Sequence, residues 1–127
     1  HRMAVTDIKI PDKYFDIIRC NHVLEHVPDD KKAISEIFRV MKPGGFGILQ
    51  VPINLESEEI LEDRTLTAAE RNKSYGSADH LRFYSGKGYI NRLKEAGFQV
   101  EADDFVKTLG VQRLRLQEAE KLFIVRK

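Results

Sequence analysis

Phe15 to Pro52, FDIIRCNHVLEHVPDDKKAISEIFRVMKPGGFGILQVP, reads as a strand, a loop, a helix, a turn and a second strand. Phe15, Ile17, Ile18 and Cys20 form a short apolar run, while Asp29 and Asp30 offer capping oxygens and negative charge at a helix start. Ile34, Ile37, Phe38 and Met41 recur at spacings of three and four, so they share one face of that helix. Pro43-Gly44-Gly45 stops it, because proline cannot continue a helix and glycine accepts a tight turn. A second apolar run, Phe46 to Val51, follows. Strand, amphipathic crossover and strand of this length predict a parallel, right-handed βαβ unit. Two histidines and a glutamate fall where the first strand ends, the edge at which open α/β sheets bind ligands.

The remaining sequence bounds the possibilities. A chain of 127 residues is read as one domain, long enough for a core but short for most enzymes of this architecture. Lys and Arg total 21 against 20 Asp and Glu, and a formal net charge of +1 gives no global field for nucleic acid or membrane. One cysteine, Cys20, rules out an internal disulfide and suits a reducing, cytoplasmic setting. No apolar run approaches the ~20 residues of a membrane-spanning helix. His1-Arg2-Met3 is assigned no role.

Outside the central unit, Ala4 to Ile8 is a weak strand candidate, and Pro11-Asp12 marks a loop. Residues 53–79 are polar and carry Glu56, Glu58, Glu59, Glu62 and Asp63, which suits a lid or insertion. Within this segment, Thr67-Ala68-Ala69-Glu70 fits a capping box, predicting a short helix toward Tyr75 that Gly76 ends. Ser85 caps another helix, burying Tyr89, Ile90, Leu93 and Ala96, with Gly97 as its left-handed terminator. Phe98, Val100 and Ala102 alternate like a strand, and Lys121 to Lys127 reads as a closing one.

His22-Val23-Leu24-Glu25-His26 is formally an H-x-x-E-H string, which on a helix holds zinc between two imidazoles with a glutamate to activate water. Pro28 follows two residues after His26 and strand precedes it, so a sustained helix is excluded, and the sequence marks no third ligand. A zinc hydrolase is therefore disfavoured and no metal is expected.

The same string, with Asp7-Ile8 ahead of it and Asp79-His80-Leu81-Arg82-Phe83-Tyr84 and Ala96-Gly97-Phe98 behind it, resembles the later part of a class I S-adenosylmethionine-dependent methyltransferase. The likeness is to the ubiquinone-biosynthesis, methyltransferase-11-like group and covers Asp7 to Val100, reaching the last strand more loosely. It implies an α/β, Rossmann-like methyltransferase sheet of order 3-2-1-4-5-7-6, truncated here to about strands 3–7 with flanking helices.

Residue by residue, the resemblance implies that Asp7 ends the third strand and accepts a hydrogen bond from adenine, with the Ile8 amide toward the ring. Cys20, Asn21 and His22 would line the methionine part of the cofactor. The plain alternatives are a turn aspartate, a buried apolar residue and a loop pair. Glu25 and His26 face the substrate or fix the loop, a structural role being preferred for Glu25. His80 precedes Arg82, Phe83 and Tyr84, a cluster suited to binding or deprotonating an acceptor; it is either a general base or a pin for the lid. His80 and His26 are thus the catalytic candidates. Arg113, Arg115 and Lys121 read as a solvated face, because no aromatics interleave with them.

The glycine-rich loop after the family's first strand and the acidic residue closing its second have no counterpart here, since only six residues precede Asp7. The expectation is an inactive or very weak portion of an enzyme that methylates a small-molecule acceptor. A non-catalytic binding or assembly domain on the same scaffold is the alternative. A cut sheet leaves an exposed edge, which predicts a homodimer.

Overall fold

In a computed structural model, residues 4–103 and 122–127 are described. The elements are β1 (Phe15–Asn21), a single 3-10 turn (Leu24–His26), α1 (Asp30–Val40), β2 (Met41–Gln50), α2 (Ala68–Tyr75), α3 (Gly86–Glu95), β3 (Gln99–Asp103) and β4 (Leu122–Arg126). Arg113, Arg115 and Lys121 lie outside the described residues, as does His1-Arg2-Met3.

The central unit forms as its pattern dictates. Asp29 caps α1 by accepting from the Lys32 amide, and Ala33, Ile34, Ile37 and Val40 are buried along one face. Met41, expected on that face, instead leaves the helix in extended conformation and starts β2, because its own amide closes the last turn on the Ile37 carbonyl. β1 and β2 pair in parallel, from Ile17 opposite Phe46 to Asn21 opposite Gln50. Between the Phe15–Met41 pair and the Ile17–Phe46 pair the register shifts, and the Pro43-Gly44-Gly45 turn occupies that irregularity. A Cβ at Gly47 would lie 2.9 Å from the Ile18 carbonyl oxygen, so only glycine lets the two strands meet there.

β4 runs antiparallel between β2 and β3, giving the order β1-β2-β4-β3. This order reproduces the 4-5-7-6 half of the expected sheet. The fold is a mixed α/β, Rossmann-like sheet with flanking helices. The expected third strand is not among the described elements. Ala4–Ile8 instead turns on itself, the Asp7 amide donating to the Ala4 carbonyl at 3.0 Å. A strand needs a neighbour to take its amides, and here the side chains of α1 take that part: the Ile8 amide donates to Glu36 and its carbonyl accepts from Arg39.

α1 packs on β2 and α3, and α3 packs on β3. The core between them holds Leu49, Tyr84, Tyr89, Leu93, Phe123 and Val125, all fully buried. The remaining helices start where their caps lie. Thr67 and Glu70 form the reciprocal capping box of α2, which ends at left-handed Gly76 (φ +82°), and the Ser85 hydroxyl accepts from the Gly88 amide at the head of α3. No described helix is long and apolar enough to cross a membrane.

Candidate active site

β1 delivers Cys20 and Asn21 to its carboxyl end. There His22 turns the chain with a left-handed backbone (φ +52°), a conformation uncommon outside glycine and frequent near functional sites. The His22 amide remains tied to the end of β2 through the Gln50 carbonyl, 2.8 Å away. The turn lets the chain enter the 3-10 segment, where side chains alternate sharply in environment. Leu24 and Glu25 are buried, while His22 and His26 stay exposed.

Glu25 is the unusual member. Its side chain is 2% exposed, and neither carboxylate oxygen finds a hydrogen-bond donor among the described residues. Two imidazoles approach the same oxygen without bonding to it: His22 Nδ1 at 3.6 Å and His26 Nε2 at 3.7 Å. The segment after α2 brings a third. His80 packs edge-on against His26, ring centroids 4.8 Å apart, and the Leu81 amide donates to the Glu25 carbonyl at 2.8 Å. His26 and His80, named as the catalytic candidates from 54 residues apart in sequence, are therefore neighbours in space, and Glu25 lies beside them.

Arg82 fixes this juxtaposition. It has no exposed side-chain surface, and it donates to the carbonyls of Leu24, Val27 and Pro28 and to the Glu62 carboxylate. The loop is thus gripped on both sides of Glu25 and His26 by one guanidinium, whose planar fork suits several acceptors at once. Tyr84 is equally buried, its hydroxyl bonded to Asp30, which also receives Arg92 at 2.5 Å. Burial and the adjacent Asp30 carboxylate push the Tyr84 hydroxyl's pKa far upward. This corrects one expectation. Arg82 and Tyr84 do not reach a substrate; they are the buried frame of the site. Asp30, Glu62 and Arg92 complete that frame; Asp30 was read only as a helix-start acid and Glu62 only as part of an acidic segment, since their partners are 20 to 62 residues distant.

The other candidates fall in different surroundings. Cys20 is half-buried against the core, and burial together with the Glu25 carboxylate pushes its thiol up to about 11, so it is no nucleophile. Asn21 is the last residue of β1, opposite Gln50. Asp7 is exposed in the amino-terminal turn, 2.7 Å from Lys9. With its amide bonded to Glu36, Ile8 has no donor to offer an adenine ring.

A family model described as a methyltransferase domain matches residues 1–103. The chain belongs to the class I S-adenosylmethionine-dependent methyltransferase family. Over 93 residues this methyltransferase-family chain is 33% identical to an uncharacterized protein of Methanocaldococcus jannaschii, covering 73% of the chain and 42% of that protein. It is 26% identical over 120 residues to the ubiquinone/menaquinone biosynthesis C-methyltransferase UbiE of Bdellovibrio bacteriovorus, covering 84% of the chain and 51% of the enzyme. Among solved structures, an S-adenosylmethionine-dependent methyltransferase from Mesorhizobium loti matches all of the chain and 68% of its own length, with a TM-score of 0.65 at 17% identity. The methyltransferase-family chain spans about half, or less, of the length of these curated relatives.

Proposed function

We propose that the chain takes part in methyl transfer from S-adenosylmethionine to a small-molecule acceptor, contributing the substrate-side wall of the crevice at the carboxyl ends of β1 and β2. The observation that carries this reading is the meeting of His26 and His80 beside the left-handed turn that closes β1, at the edge where a parallel sheet binds ligands. When bound, the cofactor supplies an electrophilic sulfonium methyl. The chain's own part is to position an acceptor and exclude water, and either imidazole can take the acceptor's proton if it comes within hydrogen-bond reach. In this reading Cys20, Asn21 and His22 line the methionine end.

In this reading the ribose and adenine side is the weak part, because the family's glycine-rich loop and second-strand acid have no counterpart among these 127 residues. Affinity for a ligand of this size comes from many contacts in a formed crevice. On this reading the 127 residues alone bind the cofactor weakly or not at all, and residues 53–79 act as a lid that chooses the acceptor.

Calorimetric titration with S-adenosylmethionine tests this in two forms of the protein, the 127-residue chain and one extended through the reading frame upstream of Met3. Saturable binding in the extended form alone supports the reading. Micromolar binding by the short chain overturns the claim that it lacks an adenine wall, and no binding by either favours a non-catalytic assembly domain.

A further inference from the structure

We propose that Glu25, His26 and His80 form a binding site for a divalent transition-metal ion of the zinc class. One ligand atom from each lies within 4.8 Å of the other two. A four-coordinate ion with bonds of about 2.1 Å sets its ligands about 3.4 Å apart, so the triplet needs to tighten by no more than roughly 1.4 Å.

Two further observations point to a cation. The first is the Glu25 carboxylate, buried with no hydrogen-bond donor on either oxygen among the described residues. A buried carboxylate without donors is costly, and native structures compensate it with a cation or a metal. The second is the orientation of the two rings. His26 Nδ1 lies 3.1 Å from the Asp79 carbonyl and His80 Nδ1 lies 3.3 Å from the Tyr75 carbonyl. A carbonyl only accepts, so each Nδ1 carries the hydrogen, and in the neutral ring Nε2 is left with a free lone pair. For His26 that nitrogen lies 3.7 Å from the Glu25 carboxylate. Backbone anchoring of one ring nitrogen, which fixes the tautomer and aims the other, is how metal-binding histidines are held.

The donor set of two imidazoles and one carboxylate suits zinc and its borderline neighbours and not magnesium, which demands oxygen ligands. Three protein ligands leave a fourth position for water, and with the ion bound neither imidazole keeps the lone pair that would take an acceptor's proton, so this site stands apart from the base role given to them above. This is not the H-x-x-E-H arrangement. His22 approaches Glu25 yet stands outside the triplet, and the third ligand arrives from the far end of residues 53–79.

The test is direct metal binding by the 127-residue chain, independent of any methyl transfer. After treatment with a chelator, titration with zinc chloride is expected to show one ion per chain, uncompeted by millimolar magnesium. His26→Ala, His80→Ala and Glu25→Gln should each weaken binding by at least about tenfold. His22→Asn, which keeps a residue tolerant of the left-handed backbone, should change it by less than about threefold. Because a substitution at buried Glu25 can unsettle the loop, the unmodified chain is also titrated with cobalt(II). Visible bands of a four-coordinate nitrogen and oxygen site, without thiolate charge transfer, support the assignment. No saturable zinc binding, binding indifferent to His80→Ala, or a greater loss from His22→Asn than from His80→Ala overturns it.

Discussion

The guanidinium of Arg82 donates to the carbonyl oxygen of Leu24 at 2.7 Å, across 58 residues of sequence and in complete burial. That bond, with its companions to Val27 and Pro28, decides where Glu25 and His26 stand relative to His80. The loop has only one 3-10 turn of its own, so its shape is borrowed from this contact.

Replacing Arg82 by Met is therefore expected to cost about 3–5 kcal/mol, the range for removing one partner of a buried charged network, since Asp30, Glu62 and three carbonyls lose a donor or a counter-charge. Urea unfolding followed by circular dichroism measures it. A loss below about 1 kcal/mol would show that the loop holds its shape without the arginine.

Acid should loosen the amino-terminal turn before the sheet. The Arg39 guanidinium, and then the Ile8 amide, hold the Glu36 carboxyl down to about 2 from its ordinary 4.5. A pKa lowered in the folded state adds stability that is complete above pH 4.5 and is lost as the pH falls toward 2. The protection factor of the Ile8 amide should fall across that window, and Glu36→Ala, which removes the acceptor, should leave it unprotected at every pH. A pH-independent protection factor in the unsubstituted chain contradicts the assignment.

Cys20 should resist alkylation in the folded protein. A thiol raised to about 11 is thiolate to only on the order of one part in a thousand at pH 8, and the side chain is half-buried as well. Iodoacetamide labelling followed by mass spectrometry is expected to be slow in buffer and rapid in urea; equal rates would mean that the end of β1 opens freely.

The outer edge of β1 pairs with no strand among the described residues, and Tyr14 and Ile17 beside it are 58% and 61% exposed. A cavity of about 260 Å³ lined by Ile8, Ile10, Phe15, Ile18, Ile37 and Val40 adjoins the same strand. Open apolar edges recruit partners. Light scattering should report a dimer at high concentration that Ile17→Lys converts to monomer. A strict monomer before substitution counts against edge pairing.

What the sequence disclosed follows the range of the forces involved. Caps act within four residues, so Asp29, Thr67 and Ser85 announced their helices correctly, and the period of Ile34 and Ile37 fixed the buried face of α1. The parallel pairing of β1 with β2 was legible because crossover length and hydrophobic pattern leave one topology. Met41 was misplaced for a local reason as well: a helix period continues through a residue whose backbone has already turned extended. Ala4–Ile8 has the composition of a strand but takes the shape of a turn, since strand formation depends on a neighbour that composition does not reveal. The site was harder still. His26 and His80 could each be suspected from residue type, but their contact with each other and with Glu25 depends on Arg82, whose hydrogen bonds cross more than fifty positions. Arg82 read as part of an acceptor-binding cluster, and only the folded chain discloses it as internal.

β4 separates β2 from β3 in the sheet, yet it is the most carboxyl-terminal strand described. During synthesis, then, β3 leaves the ribosome before β4, the strand it pairs with among the described residues, and that part of the sheet stays open until Leu122–Arg126 has emerged. A ribosome paused before that point would hold a nascent chain whose βαβ half can form while its other half waits, a vulnerable interval that chaperones would be the first to meet.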